Sequence, residues 1–249
     1  MDNTDYNQDG FTLAHDVVPL PTKGLFYKPK KESFKVGYLT AEDENILMSQ
    51  NASKEGIVYT LLRNKIYEPG FNINQLLDVD VQAILIFLRN TSFGSEYHLK
   101  VMDPGTGKYF ETTLLIDEVD YVKPKHTPDE DGLFSIVLPK SNKTVRCKLL
   151  NLGEQKELEK IKDSYPDNVT IPTVTKRLEK QIVEIDGNSE RGEIVKFIPQ
   201  MPISDSKLIR SYLSDCEPKL DLDRTIIAPS GEKVTVTVSF GAEFFRPFF

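Results

Sequence analysis

The stretch "VDVQAILIFLRN", residues 79–90, decides the fold. Val81, Ile84, Leu85 and Leu88 recur at helical spacing, and Ile86 and Phe87 widen the apolar stripe. A helix apolar around so much of its girth is buried, so this one is expected at the centre of a globular core. Gly94 follows and suits a left-handed C-terminal stop. Arg89, near the helix end, has two readings. It binds an anion, or it bonds nearby carbonyls or an acid such as Asp80 or Glu96.

Working outward, Phe34–Leu39 reads as a strand. "TAEDENILMS" reads as a helix with Thr40 as its N-cap and acids 42–44 facing the positive end of the helix dipole. Another helix spans about 56–66. Beyond the central helix, "EYHLKVMDPGTGKYFETTLLI" sets two strand-like runs around a Pro-Gly turn, a hairpin signature.

The order then recurs. Leu133–Leu138 and Thr144–Leu150 read as strands turning at Ser141-Asn142. Helices are expected at about 153–164, 173–185 and 204–213, the last capped by Ser204, with a short one near 193–197. A final hairpin joins "RTIIA" to "KVTVTVSF" through "PSGE". "VGYLTAEDENIL" matches "CKLLNLGEQKEL", "IFLRN" matches "KLIRS", and "DPGTGKYFETTLLI" matches "APSGEKVTVTVSF". This is a diverged internal duplication, or the chance similarity of two α+β segments. The expected fold is α+β, with two similar blocks, each strand–helices–hairpin. Residues 1–33 form an extended N-terminal arm, 34–122 the first block, 123–132 a linker, and 133–249 the second block with a Phe-rich tail.

Pro19, Pro21 and Pro29 forbid a helix in the arm, and Gly24 suggests a tight turn. Leu20, Leu25, Phe26 and Tyr27 anchor it on a surface. The tail, "VSFGAEFFRPFF", carries Phe240, Phe244, Phe245, Phe248 and Phe249 of the chain's 14 phenylalanines. Phe240 is expected inside, with Phe244 and Phe245 covering the second block. Phe248 and Phe249 lie beyond Pro247 and are either core or partner contact. Clustered aromatics are typical interface anchors, so Leu20, Leu25, Phe26, Tyr27, Phe248 and Phe249 are the candidate partner-binding residues.

Composition narrows the function. The chain has 249 residues, 28% of them charged, and a net charge of −7, which argues against nucleic-acid binding. No run reaches the length of a membrane span. The polar, acidic start is not a signal peptide, and two cysteines far apart suit a reducing cytosol. "PGTGK" is no P-loop, because Met102 stands at the first glycine position and Tyr109 follows Lys108. His15, His98 and His126 stand in different segments without metal-ligand spacing. Glu42-Asp43-Glu44 reads as a helix start rather than an acid–base pair. No catalytic residue, cofactor or metal is expected.

At "VPLPTKGLFY", "LTAEDENIL", "LDVDVQAILIFLRNTSFGSEY" and "DSKLIRSYL", with the Phe-rich end, the chain resembles the baseplate hub assembly and hub-subunit proteins of T4-like contractile-tailed phages. The resemblance runs from about Val17 to Phe249. It brings an expectation of Cys pairs at the hairpin tips, as in a metal knuckle. The tips here, "DPGTGK" and "APSGEK", hold no cysteine, so turn chemistry holds them instead. The resemblance implies a non-enzymatic late protein that binds other tail and baseplate hub proteins in the host cytoplasm. One role it implies is chaperoning the tape-measure protein or another hub component. The alternative is a permanent subunit of the virion baseplate. A third reading, from composition alone, is an enzyme whose site is assembled from scattered residues.

Overall fold

The central helix is longer than its apolar run. In the computed structural model, which describes residues 14–49, 54–116, 119–166, 169–240 and 242–245, it spans Asp78–Phe93. Asp78 and Asp80 occupy its first turn, where the dipole favours acids. Gly94, at φ 78°, ends it by donating its N–H to the Asn90 carbonyl. A side chain at this φ would be strained.

Among the described residues the elements are mixed α and β: β1 (His15–Pro19), β2 (Ser33–Gly37), α1 (Ala41–Leu47), α2 (Lys54–Lys65), α3 (Asp78–Phe93), β3 (Glu96–Met102), β4 (Tyr109–Leu115), β5 (Tyr121–Val122), β6 (Phe134–Val137), β7 (Thr144–Cys147), α4 (Leu152–Asp163), α5 (Thr173–Gln181), β8 (Ile182–Ile185), α6 (Arg191–Phe197), α7 (Ile203–Cys216), β9 (Lys219–Leu220), β10 (Asp223–Ile227) and β11 (Lys233–Thr237). The strands form small antiparallel sheets: β1–β2, β3–β4, β5–β9, β10–β11 and the three-stranded β6–β7–β8. The expected α+β class is the class observed.

Two apolar clusters hold these pieces. The first gathers Phe34 and Val36 of β2, Leu61 and Leu62 of α2, Ile84, Leu85 and Leu88 of α3, and Leu114 of β4. The second gathers Phe134 and Ile136 of β6, Val145 of β7, Leu178 of α5, Ile182 of β8, and Ile209 and Leu213 of α7. Helix α3 serves both, because Val79 at its start packs with the second cluster.

Several elements differ from the sequence reading. The expected helix 173–185 stops at Gln181, and Ile182–Ile185 is a strand on β7 with Val145 opposite Ile185. The β-branched run Ile182, Val183, Ile185 favours the pleat, and the open edge of β7 supplies its partner. Helix α7 starts at Ile203 with Pro202, not Ser204, as N-cap. The Pro202 carbonyl takes the Asp205 and Ser206 N–H groups at 3.0 and 3.1 Å. The arm is not merely laid on a surface: residues 15–19 pair with 33–37 as β1–β2.

The chain end departs most from expectation. Phe244 and Phe245 are 0% and 1% exposed, and they pack in the first cluster, not over the second block. Phe240 lies past the last strand pair and is half-buried against the same cluster. Hairpin β10–β11 travels with them: Ile226, Val236 and Val238 join the first cluster. Its turn meets the turn of β3–β4, where Asp103 accepts the Ser230 hydroxyl at 2.5 Å and the Ser230 N–H at 3.1 Å.

Candidate protein-binding surface

The arm is fastened by a carboxylate that spacing alone does not single out. Asp80 is fully buried on α3. It accepts the Thr22 N–H at 3.1 Å and the Thr22 hydroxyl at 2.6 Å, and also the Tyr27 hydroxyl. The Tyr27 oxygen in turn accepts the Leu77 N–H at 3.1 Å. Burial pushes the Asp80 carboxyl up, and its three donors oppose that shift. Burial, with the Asp80 charge adding to it, raises Tyr27 well above an ordinary phenol. A buried acid is tolerated only when satisfied in this way. The sequence signal was available: "PTKGLFY" and "LDVDV" each hold half of the cluster.

This lock sorts the candidate arm residues. Leu20 and Tyr27 are buried in the first cluster. Leu25 is 49% exposed at the tip of the turn. Phe26 is half-buried, its ring 6.1 Å from that of Phe134, so it leans on the second cluster. Lys28 adds an exposed ion pair with Asp131 at 2.7 Å. Phe248 and Phe249 lie outside the described residues.

The other singled-out residues take structural roles. Arg89 bonds three carbonyl oxygens, those of Phe244, Gly94 and Glu96, and no acid side chain among the described residues. Asp43 completes a capping box with Thr40 and pairs with Lys65 in a nearly dry site. Asp205, which sequence reading passed over, accepts the Lys140 and Ser141 N–H groups and holds the β6–β7 turn on α7. Among the described residues no group of three His, Cys, Asp or Glu side chains could hold a metal ion.

A cleft of about 620 Å³ opens along the seam of the two clusters. Buried Leu77, Val79, Leu149, Leu150 and Leu158 line its floor. Leu220, which packs on both clusters, lines it too. Asp78, Glu159, Glu217, Asp221 and Asp223 stand around it, against two cations, Arg177 and Lys219. Burial raises the Glu217 carboxyl, and the charge of Asp78 adds slightly, while Arg177 and Lys219 oppose the shift. Asp78 keeps an exposed side, yet crowding by surrounding protein still raises its carboxyl.

The architecture is one of small sheets and helices around two cores, with an arm locked at its base and an apolar-floored seam. The chain matches the family model described as T4 bacteriophage base plate protein over residues 26–246, and it belongs to that family. The comparisons with curated proteins and with solved structures find no match. Among the described residues, no helix is long and apolar enough to cross a membrane.

Proposed function

We propose that this phage baseplate protein acts by binding other tail proteins while the baseplate hub is built, and that it acts without catalysis. The family match across residues 26–246 carries the reading. The locked arm supports it, because a rigid base presents Leu25, with Phe26 beside it, at low entropic cost. Leu25 and Phe26, together with Phe248 and Phe249, are the proposed contacts. The partner class is a hub component or the tape-measure protein, held in the host cytoplasm until assembly begins. The likeness of 34–122 to 133–249 supports two blocks of common origin, joined at 123–132 and preceded by the arm 1–33.

A tagged full chain purified from infected cells tests this. Tail proteins should co-purify, and the protein should be scarce in mature particles by mass spectrometry. Abundance in particles would replace the transient role with the second reading, a permanent baseplate subunit. Capture of no tail protein would overturn both.

A further inference from the structure

The seam cleft has the chemistry of a peptide site. Its floor is apolar and contributed by α3, α4 and the segment before α4, so it is present without any rearrangement. Its rim is anionic: five carboxylates face two cations. Among the described residues Asp78, Glu159 and Glu217 close no ion pair, and Asp78 has only the Gln82 amide, at 2.6 Å. Arg177 and Lys219 act on Glu217 through space without bonding it. Beside the cleft, sharing Thr173, Arg177 and Glu217 with it, a smaller hollow is lined by Gln181. Gln181 is 2% exposed, and its side-chain oxygen has no partner among the described residues. Glu217, half-buried beside the apolar floor, costs stability unless a cation meets it. An unpaired amide oxygen lacks a donor in the same way.

We infer that the cleft binds a segment of a partner protein carrying apolar side chains flanked by Lys or Arg. The apolar side chains fill the floor, and the cations meet Asp78, Glu159 and Glu217. Charge complementarity selects this occupant: an acidic segment would meet like charges, which disfavours it at an interface. The inference rests on the reading of the protein as one that binds tail proteins, and it names the surface and partner chemistry for that reading.

The probe is a labelled amphipathic octapeptide of Leu and Lys, titrated into the full-length protein by fluorescence anisotropy. Its companions carry Glu for every Lys, or Ser for every Leu. Saturable binding is expected for the first peptide alone. The double variant Asp78→Asn/Glu217→Gln should weaken it about tenfold or more, the size of a lost charge-assisted contact. Glu44→Gln/Glu232→Gln removes the same charge from exposed sites elsewhere and should leave binding unchanged. Equal binding of the Lys and Glu peptides, or equal loss in both double variants, overturns the inference. A dimer that dissociates only in Asp78→Asn/Glu217→Gln assigns the cleft to a second copy and also overturns it. The same variants in infected-cell purification separate the two claims. Tail proteins retained by Asp78→Asn/Glu217→Gln sink the cleft alone, whereas no tail protein on the unmodified chain sinks the broader reading.

Discussion

Arg89 donates its Nε–H to the carbonyl oxygen of Phe244 at 3.0 Å, joining positions 155 residues apart. The same guanidinium reaches the carbonyls of Gly94 and Glu96, and it lies over the rings of Tyr97 and Phe244 at 5.4 and 5.7 Å. One side chain thus ties the end of α3, the start of β3 and the end of the described chain. Burial lowers its pKa, yet a guanidinium stays charged at neutral pH. Arg89→Ala would empty a fully buried site and leave the buried Phe244 carbonyl without its donor, at a cost of about 3–5 kcal/mol. For a chain of this length the melting temperature should fall by on the order of 10 °C. Arg89→Lys keeps the charge but not the planar fork, so calorimetry should put it between the two. Equal melting of all three proteins would remove the clamp.

The tail divides into a structural part and a proposed contact. Phe244→Ala empties a fully buried site and should cost about 3–5 kcal/mol. Deleting residues 246–249 should leave the melting temperature nearly unchanged and reduce capture of tail proteins. Unfolding of the truncated chain would move Phe248 and Phe249 from contact to core.

Tyr27→Phe tests the lock on the arm. It removes one donor to Asp80 and leaves the buried Leu77 N–H without its acceptor. The expected loss is about 1–3 kcal/mol. Amide exchange should accelerate over residues 20–27 before it does in α3, because the arm opens locally first. Unchanged exchange there would mean that Leu20 and Phe26 suffice to hold the arm.

Much of this fold was legible. Helix α3 declared itself by an apolar stripe with Gly94 after it. The hairpins declared themselves by Asp-Pro-Gly-Thr-Gly and Pro-Ser-Gly-Glu between alternating runs. What could not be read was pairing across distance. Helical spacing through Thr173–Gln181 runs on into Ile182–Ile185 unless the open edge of β7 is known. Nothing local tells Phe244 which cluster it will enter, since Arg89 and β3–β4 receive it from far up the chain. The buried role of Asp80 escaped for the same reason: this acid reads as a candidate partner of Arg89 until Thr22 and Tyr27 are placed against it. Leu25 and Phe26 could be named as apolar arm residues, but their different exposures depend on where Phe134 lies.

The joined hairpin tips make a pH prediction. Asp103 is 2% exposed, tucked between two turns rather than deep in a core. The Ser230 hydroxyl, then the Gly105 N–H, the Thr106 side chain and the Ser230 N–H, hold its carboxyl below the usual value. The unfolded chain therefore binds its proton more readily. The stability this group contributes is present above the unfolded pKa and lost as pH falls through the folded one. Ser230→Ala removes the largest cause and should flatten the loss of melting temperature between about pH 5 and pH 3. Parallel curves for the two proteins would mean that the tips touch without coupling.

The cleft carboxyls behave in the opposite sense. Burial raises both Asp78 and Glu217. Their folded forms hold the proton more tightly than the unfolded chain does. Their contribution is therefore full below the unfolded pKa and lost as pH rises through the folded one, and at neutral pH both ionised groups work against the fold. Asp78→Asn and Glu217→Gln remove that penalty. Each should gain only about 0.5 kcal/mol, because both carboxyls keep a solvent-facing side that screens them. The double variant should melt about 2–4 °C higher near pH 7 and gain nothing near about pH 3, where the acids are already neutral. Paired with weaker peptide binding, such a gain would mark the acids as retained for a partner at the expense of the fold. A melting temperature that falls at pH 7 would show instead that Arg177 and Lys219 already satisfy them, and that the rim is a solvated face.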